Sequence, residues 1–116
     1  MKKSLLALFF VFVITDASTM DCSNTTTQMR EVICSETKLI TLYEDVFNVF
    51  HQVRDKVNIS NLPILDIQFV TWNENTEKKC ILNNGKEHAS NCLTKRISDE
   101  IKLLNNILNN PDWSKN

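Results

Sequence analysis

The residues best able to do chemistry are four cysteines and two histidines, and three of these six share one stretch, Cys80-Ile-Leu-Asn-Asn-Gly-Lys-Glu-His-Ala-Ser-Asn-Cys92. That stretch also holds the only glycine of the chain, Gly85, followed by Lys86, Glu87 and His88. Cysteines can act as thiolate nucleophiles, as metal ligands or as halves of disulfides. Structural zinc sites favour ligands about two to four residues apart within a pair. Cys22 and Cys34 stand twelve positions apart, as do Cys80 and Cys92, so no metal is expected. An even cysteine count in a small exported chain points instead to a disulfide framework. A catalytic reading needs a nucleophile, a base and a group that orients them. With the thiols bridged, what is left is His51 beside an apolar stripe, His88 with no partner in the sequence, and Glu74, Glu77 and Glu87, which read as solvated charges. No catalytic residue and no cofactor is assigned, and the chain is not expected to be an enzyme.

Export is read from the first residues. Lys2 and Lys3 precede the apolar run Leu5–Ile14, and Thr15-Asp16-Ala17 offers small residues for cleavage, which makes 1–17 a signal peptide. The ten apolar residues of that run fall short of the roughly 20 that a membrane span needs, so no membrane span is expected. Thirteen basic and fourteen acidic side chains give a net charge of −1, and loss of Lys2, Lys3 and Asp16 with the leader takes it to −2. So weak a charge argues against a nucleic-acid partner, which calls for a dense basic patch. A periplasmic or secreted location follows from the leader and the cysteines together.

The elements that must carry the cysteines are helices. One glycine and two prolines, Pro63 and Pro111, are too few for the tight turns of an all-β domain. Met29, Val32 and Ile33 share a face in 28–34, with Thr27 or a neighbouring residue as N-cap. Ser35-Glu36-Thr37 is a second cap signal. It precedes a long amphipathic stripe, Leu39, Leu42, Val46, Phe50, Val53 and Val57, widened by Ile40, Tyr43 and Phe47. Residues 64–72 read both ways. Leu65, Ile67 and Phe69 alternate as in a strand, while Leu65, Phe69 and Trp72 fall on one helical face, and a lone strand would lack a partner. Trp72 is expected in the core. Leu93, Ile97, Ile101, Leu104 and Leu108 form the last stripe, capped near Asn91 and ended by Asn109-Asn110-Pro111. The fold class is therefore all-α, a small bundle of about four helices stapled by two disulfides. It occupies 18–110, with 111–116 as a loose tail.

The spacing alone leaves three disulfide connectivities open. On these helices, pairing Cys22 with Cys34 and Cys80 with Cys92 would staple each short connection to its helix, and that pattern is expected. Each such loop is worth about 3 kcal/mol in the chain-entropy model. Asn24-Thr25-Thr26 and Asn58-Ile59-Ser60 match the N-glycosylation pattern but are read as surface asparagines.

The order of these landmarks resembles the lysozyme inhibitor LprI-like N-terminal domain family. Its pattern is matched here by Asp21-Cys22, by Glu31-Val32-Ile33-Cys34, and by Leu39 and Leu42 followed by Val46 and Phe50. Gln68, Trp72 and Cys80 come next, then Cys92-Leu93 with Ile97, Ile101 and Leu104. Tyr43 stands where that family usually has aspartate, Ile97 where it has tyrosine and Glu100 where it has arginine. The resemblance implies a small helical, disulfide-stapled domain and a protein partner, a lysozyme-type muramidase inhibited by non-covalent binding. Such an inhibitor can press a pre-ordered loop toward the two catalytic carboxylates of its target. Gly85, Lys86 and His88 are the candidate partner-binding residues in that reading. The alternative is an envelope, immunity or host-interaction protein with a non-lysozyme partner.

Overall fold

A computed structural model describes residues 21–23, 27–81 and 86–114, without the side chains of Lys86 and Glu87. The expected leader and Gly85 lie outside the described residues. Among the described residues four helices follow one another: α1 (Gln28–Cys34), α2 (Thr37–Lys56), α3 (Leu62–Cys80) and α4 (Lys86–Leu108), with a 3₁₀ turn, Ile59–Asn61, between α2 and α3. The all-α bundle and its two disulfides, Cys22–Cys34 and Cys80–Cys92, are as expected.

Thr27 caps α1 as its sequence predicts, accepting a hydrogen bond from the Arg30 amide at 3.2 Å. Met29 and Ile33 are buried, and Val32 packs beside them. The second cap signal works differently from expectation. Ser35 Oγ donates back to the Val32 carbonyl at 2.6 Å, and so closes α1 rather than opening α2. Glu36 occupies the N-cap of α2 in extended backbone, with no side-chain cap bond. The α2 stripe then buries Leu39, Tyr43, Val46 and Val53, and Arg54 and Lys56 in its last turn complement the helix dipole.

Residues 64–72 are helical. Pro63 sits in the first turn of α3, where its missing N–H costs no hydrogen bond. Leu65, Phe69, Trp72, Thr76 and Cys80 recur on one face and are all buried. Ile64, Ile67 and Val70 take the opposite side and stay exposed, at 55%, 66% and 57%. The strand-like alternation of Leu65, Ile67 and Phe69 is thus a sampling of two opposite helix faces.

α4 begins earlier than expected. Lys86 to Asn91 are helical, so Asn91 is an exposed residue within α4 and not its cap. Cys92 bonds to Cys80 from the second turn of α4. The tail also differs from the loose segment expected at 111–116. Val57 and Ser114 form an antiparallel bridge, the Asn58 amide donates to the Trp113 carbonyl at 2.8 Å, and Trp113 packs on the core. Pro111 to Ser114 are tied down because Val57, just past α2, leaves its backbone extended beside them.

Cross-helix pairs give the packing sense. Tyr43 meets Asn73, Phe47 and Phe50 meet Phe69, and Arg54 meets Asp66, so α2 and α3 run antiparallel. Cys80 with Cys92, Thr76 with Arg96 and Gln68 with Glu100 make α3 and α4 antiparallel as well. α2 and α4 therefore run parallel, with α3 against both. Phe69 is the hub, stacked on Phe50 at 4.0 Å and edge-on to Phe47 at 5.2 Å, with Trp72 at 5.4 Å.

This face assignment separates two neighbouring positions by energy. Phe69→Ala is expected to cost about 3–5 kcal/mol in urea unfolding. Ile67→Ala, on the exposed face, should stay within about 0.5 kcal/mol of the parent. Similar costs at both positions would show that they share one buried face and would overturn the assignment.

Candidate functional site

The expected site residues do not converge. His51 is exposed toward the C-terminal end of α2, with its ring 5.7 Å from that of Phe50. His88 is exposed in the first turn of α4. Because α2 and α4 run parallel, the two histidines lie toward opposite ends of the bundle. Among the described residues no group of three metal-ligating side chains comes together. No free thiol is left among the cysteines. Lys86 and His88, expected in a loop, stand instead on the opening helical turn of α4.

Two other features do come together, at the end of the α3–α4 hairpin away from Cys80–Cys92. The first is apolar surface. Ile59 is 82% exposed in the 3₁₀ turn, and Ile64, Ile67 and Val70 continue onto the outer face of α3. Leu103 of α4, 40% exposed, shares a helical flank with Cys92 and Arg96, both of which reach α3. In that register Leu103 and Ile64 border the same seam.

The second feature lies within the seam. Gln68 Nε2 donates to Glu100 Oε1 at 3.1 Å, and Glu100 is only 3% exposed. Glu100 Oε2 and Gln68 Oε1 are both buried and receive no hydrogen bond from another described protein group. Burial pushes the Glu100 carboxyl up to about 7, against the opposing pull of the Gln68 hydrogen bond and the Arg96 charge. Desolvation wins because a carboxylate loses far more than a neutral acid on leaving water. Arg96 is itself engaged, with Nε donating to Thr76 Oγ1 at 2.9 Å.

Set against protein-family models, curated proteins and solved structures, the chain matches none of them. The site is therefore read from its own residues.

A further polar pair bridges α2 and α3. Tyr43 Oη donates to Asn73 Oδ1 at 3.2 Å, and burial raises the Tyr43 phenol above its ordinary range. Arg54 grips Asp66 through two hydrogen bonds of 2.8 Å, which holds the Asp66 carboxyl below its usual value. This exposed pair adds geometry more than stability.

Nothing in the sequence reading singled out Glu100 as buried. The available signal was its register, since it follows Ile97 by three residues and precedes Leu104 by four. That places a carboxyl on the stripe that α4 buries.

The raised Glu100 pKa has a stability consequence of definite sign. A carboxyl held neutral by the fold contributes fully below its unfolded pKa, 4.5, and that contribution is lost as pH rises through about 7. The unfolding free energy should therefore fall between pH 5 and pH 8, by at most about 3 kcal/mol. Asp66 titrates below this window, since its pKa is lowered from 3.8. Urea unfolding across that pH range provides the check, and stability that is flat or rises with pH contradicts the assignment.

Proposed function

We propose that this chain is an exported binding protein that acts by non-covalent docking, and that its target is a lysozyme-type muramidase. The observation that carries the binding reading is the apolar face of Ile59, Ile64, Ile67 and Val70 on a helix fixed at its far end by Cys80–Cys92. A face of this kind on a stapled scaffold is ordered before contact, so docking orders few further groups. Clustered exposed aliphatic side chains mark interaction surfaces more often than scattered ones. Export is supported by the leader and the two disulfides, and a periplasmic or extracellular setting suits both. No helix among the described residues is long and apolar enough to cross a membrane. The choice of a muramidase rests on the resemblance of the residue pattern to the lysozyme-inhibitor family. Lys86 and His88, at the opening of α4, are a second contact region in this proposal.

The oxidised mature protein should slow lysis of peptidoglycan by at least one of a panel of animal and bacterial lysozymes. The double variant Ile64→Lys, Ile67→Lys should keep its stability within about 1 kcal/mol, since each surface change is typically worth up to about 0.5. Its inhibition should drop by about tenfold or more, as expected for loss of central apolar contacts. A folded sample that inhibits no lysozyme of the panel removes the muramidase as target. Inhibition unchanged in the double variant but lost in Lys86→Ala, His88→Ala moves the contact to the start of α4.

A further inference from the structure

Among the described residues, three side-chain ties of different chemistry are spaced along the α3–α4 hairpin. At the closed end Cys80–Cys92 is covalent. Next comes Arg96 donating to Thr76, and farthest from the disulfide is Gln68 with Glu100. Only the last tie has a buried titratable group at its centre. We propose that the Gln68–Glu100 contact is a proton-controlled latch on the open end of this hairpin, closed when Glu100 is neutral and released when it ionises.

The atoms support this directly. Gln68 Oε1 is a buried acceptor with no donor among the described residues, and so is Glu100 Oε2. A proton on Glu100 Oε2 converts one orphan acceptor into the donor that the other lacks. The amide and the acid then form a cyclic pair, with Gln68 Nε2 donating to Oε1 and Glu100 Oε2 donating to Gln68 Oε1. Removing that proton leaves a buried carboxylate with one amide hydrogen bond, and leaves Gln68 Oε1 unpaired. Each unsatisfied buried polar group is destabilising, and a buried charge more so.

The surroundings do little to compensate. Arg96, on α4 itself, is the charged group that acts on Glu100, and its Nε is committed to Thr76. α3 contributes the neutral Gln68, and no charged group of α1 or α2 acts on Glu100 among the described residues. An ionised Glu100 is thus drawn toward water, and the way out is the seam bordered by Ile64 and Leu103. The disulfide holds the opposite end, so opening is confined to the first half of α3. The latch lies in the seam at the Ile64 edge of the apolar face and makes the geometry of that edge depend on pH near neutrality, whichever partner the face meets.

Amide hydrogen exchange of the folded protein, corrected for the intrinsic pH dependence of exchange, tests the latch locally. Between pH 5.5 and pH 8.5 the amides of residues 66–70 should lose protection by about tenfold or more, while those of 76–80 beside the disulfide hold theirs. Glu100→Gln carries an N–H₂ donor where the acid carries O–H, and it cannot ionise. In that variant the pH-dependent loss at 66–70 should disappear. Protection at 66–70 that is independent of pH in the parent, or equally pH-dependent in Glu100→Gln, overturns the proposal. If the variant does not fold, carboxyl ¹³C titration of the parent decides. A Glu100 midpoint near neutrality supports the latch, and one in the ordinary carboxylate range of about 4 to 5 overturns it.

Discussion

The rest of the molecule depends on the packing of α2 against α4, over which α3 closes with its inner face. Leu65, Phe69, Trp72, Thr76 and Cys80 stand on that face in sequence and are all buried. Phe69 receives Phe47 and Phe50 from α2, Thr76 receives Arg96 from α4, and Cys80 takes Cys92. A domain of this size buries a modest fraction of its surface, so its core alone leaves a thin margin of stability. Two disulfides offset part of that shortfall by restricting the unfolded chain. The short α1 and the tail then close the ends, α1 through Cys22–Cys34 and the tail through the Val57–Ser114 bridge.

The two seams of α3 are built from different chemistry, and the difference has a physical consequence. Toward α2 the contact is aromatic, with Tyr43, Phe47, Phe50, Phe69 and Trp72 forming a chain of rings. Toward α4 it is polar and covalent. Apolar ridges can slide by a turn and find comparable packing, whereas a hydrogen-bonded or disulfide pair tolerates no such shift. The α3–α4 ties therefore fix register, while the aromatic seam is half-buried, with Phe69 and Trp72 in the core and Phe47 and Phe50 packed at its margin. A buried polar pair retained for register rather than for stability is a known use of such groups. Glu100 fits that description, because burial raises the cost of its charge instead of rewarding it.

Much of this was legible in the residues, and the exceptions share a cause. The α2 stripe, a cap at or beside Thr27 and the helix end before Pro111 follow from local pattern, and both cysteine pairings follow once the cysteines are placed on the helices. The start of α4 was not, because Asn91 beside Cys92 looks like a cap, while Lys86, Glu87 and His88 carry no apolar signal. Within the cap signal 35–37 the N-cap position of α2 falls on Glu36, while the Ser35 hydroxyl, which can serve either neighbouring helix, is bonded to the Val32 carbonyl. The tail carries no comparable signal because its tie is made by backbone groups, the Asn58 amide and the Trp113 carbonyl, which have no signature in residue type. Of the candidate site, Lys86 and His88 were visible only as residue types. The apolar face and Glu100 needed the helix phase of α3 and α4 before they could be seen.

The ambiguity of 64–72 and the exposed face have one origin. A surface helix is recognised by contrast between an apolar inner stripe and a polar outer one. Ile64, Ile67 and Val70 erase that contrast in α3, and their β-branched side chains add a strand-like bias. Folding gains nothing from isoleucine or valine at positions more than half exposed, where lysine or glutamate would raise helix propensity and define the helix better. The sequence therefore carries apolar residues there at some cost to its own local consistency. Such a conflict between local preference and overall fold is expected at positions shaped by contact with something else. What made α3 hard to recognise is thus the same feature that marks its outer face as the surface of interest.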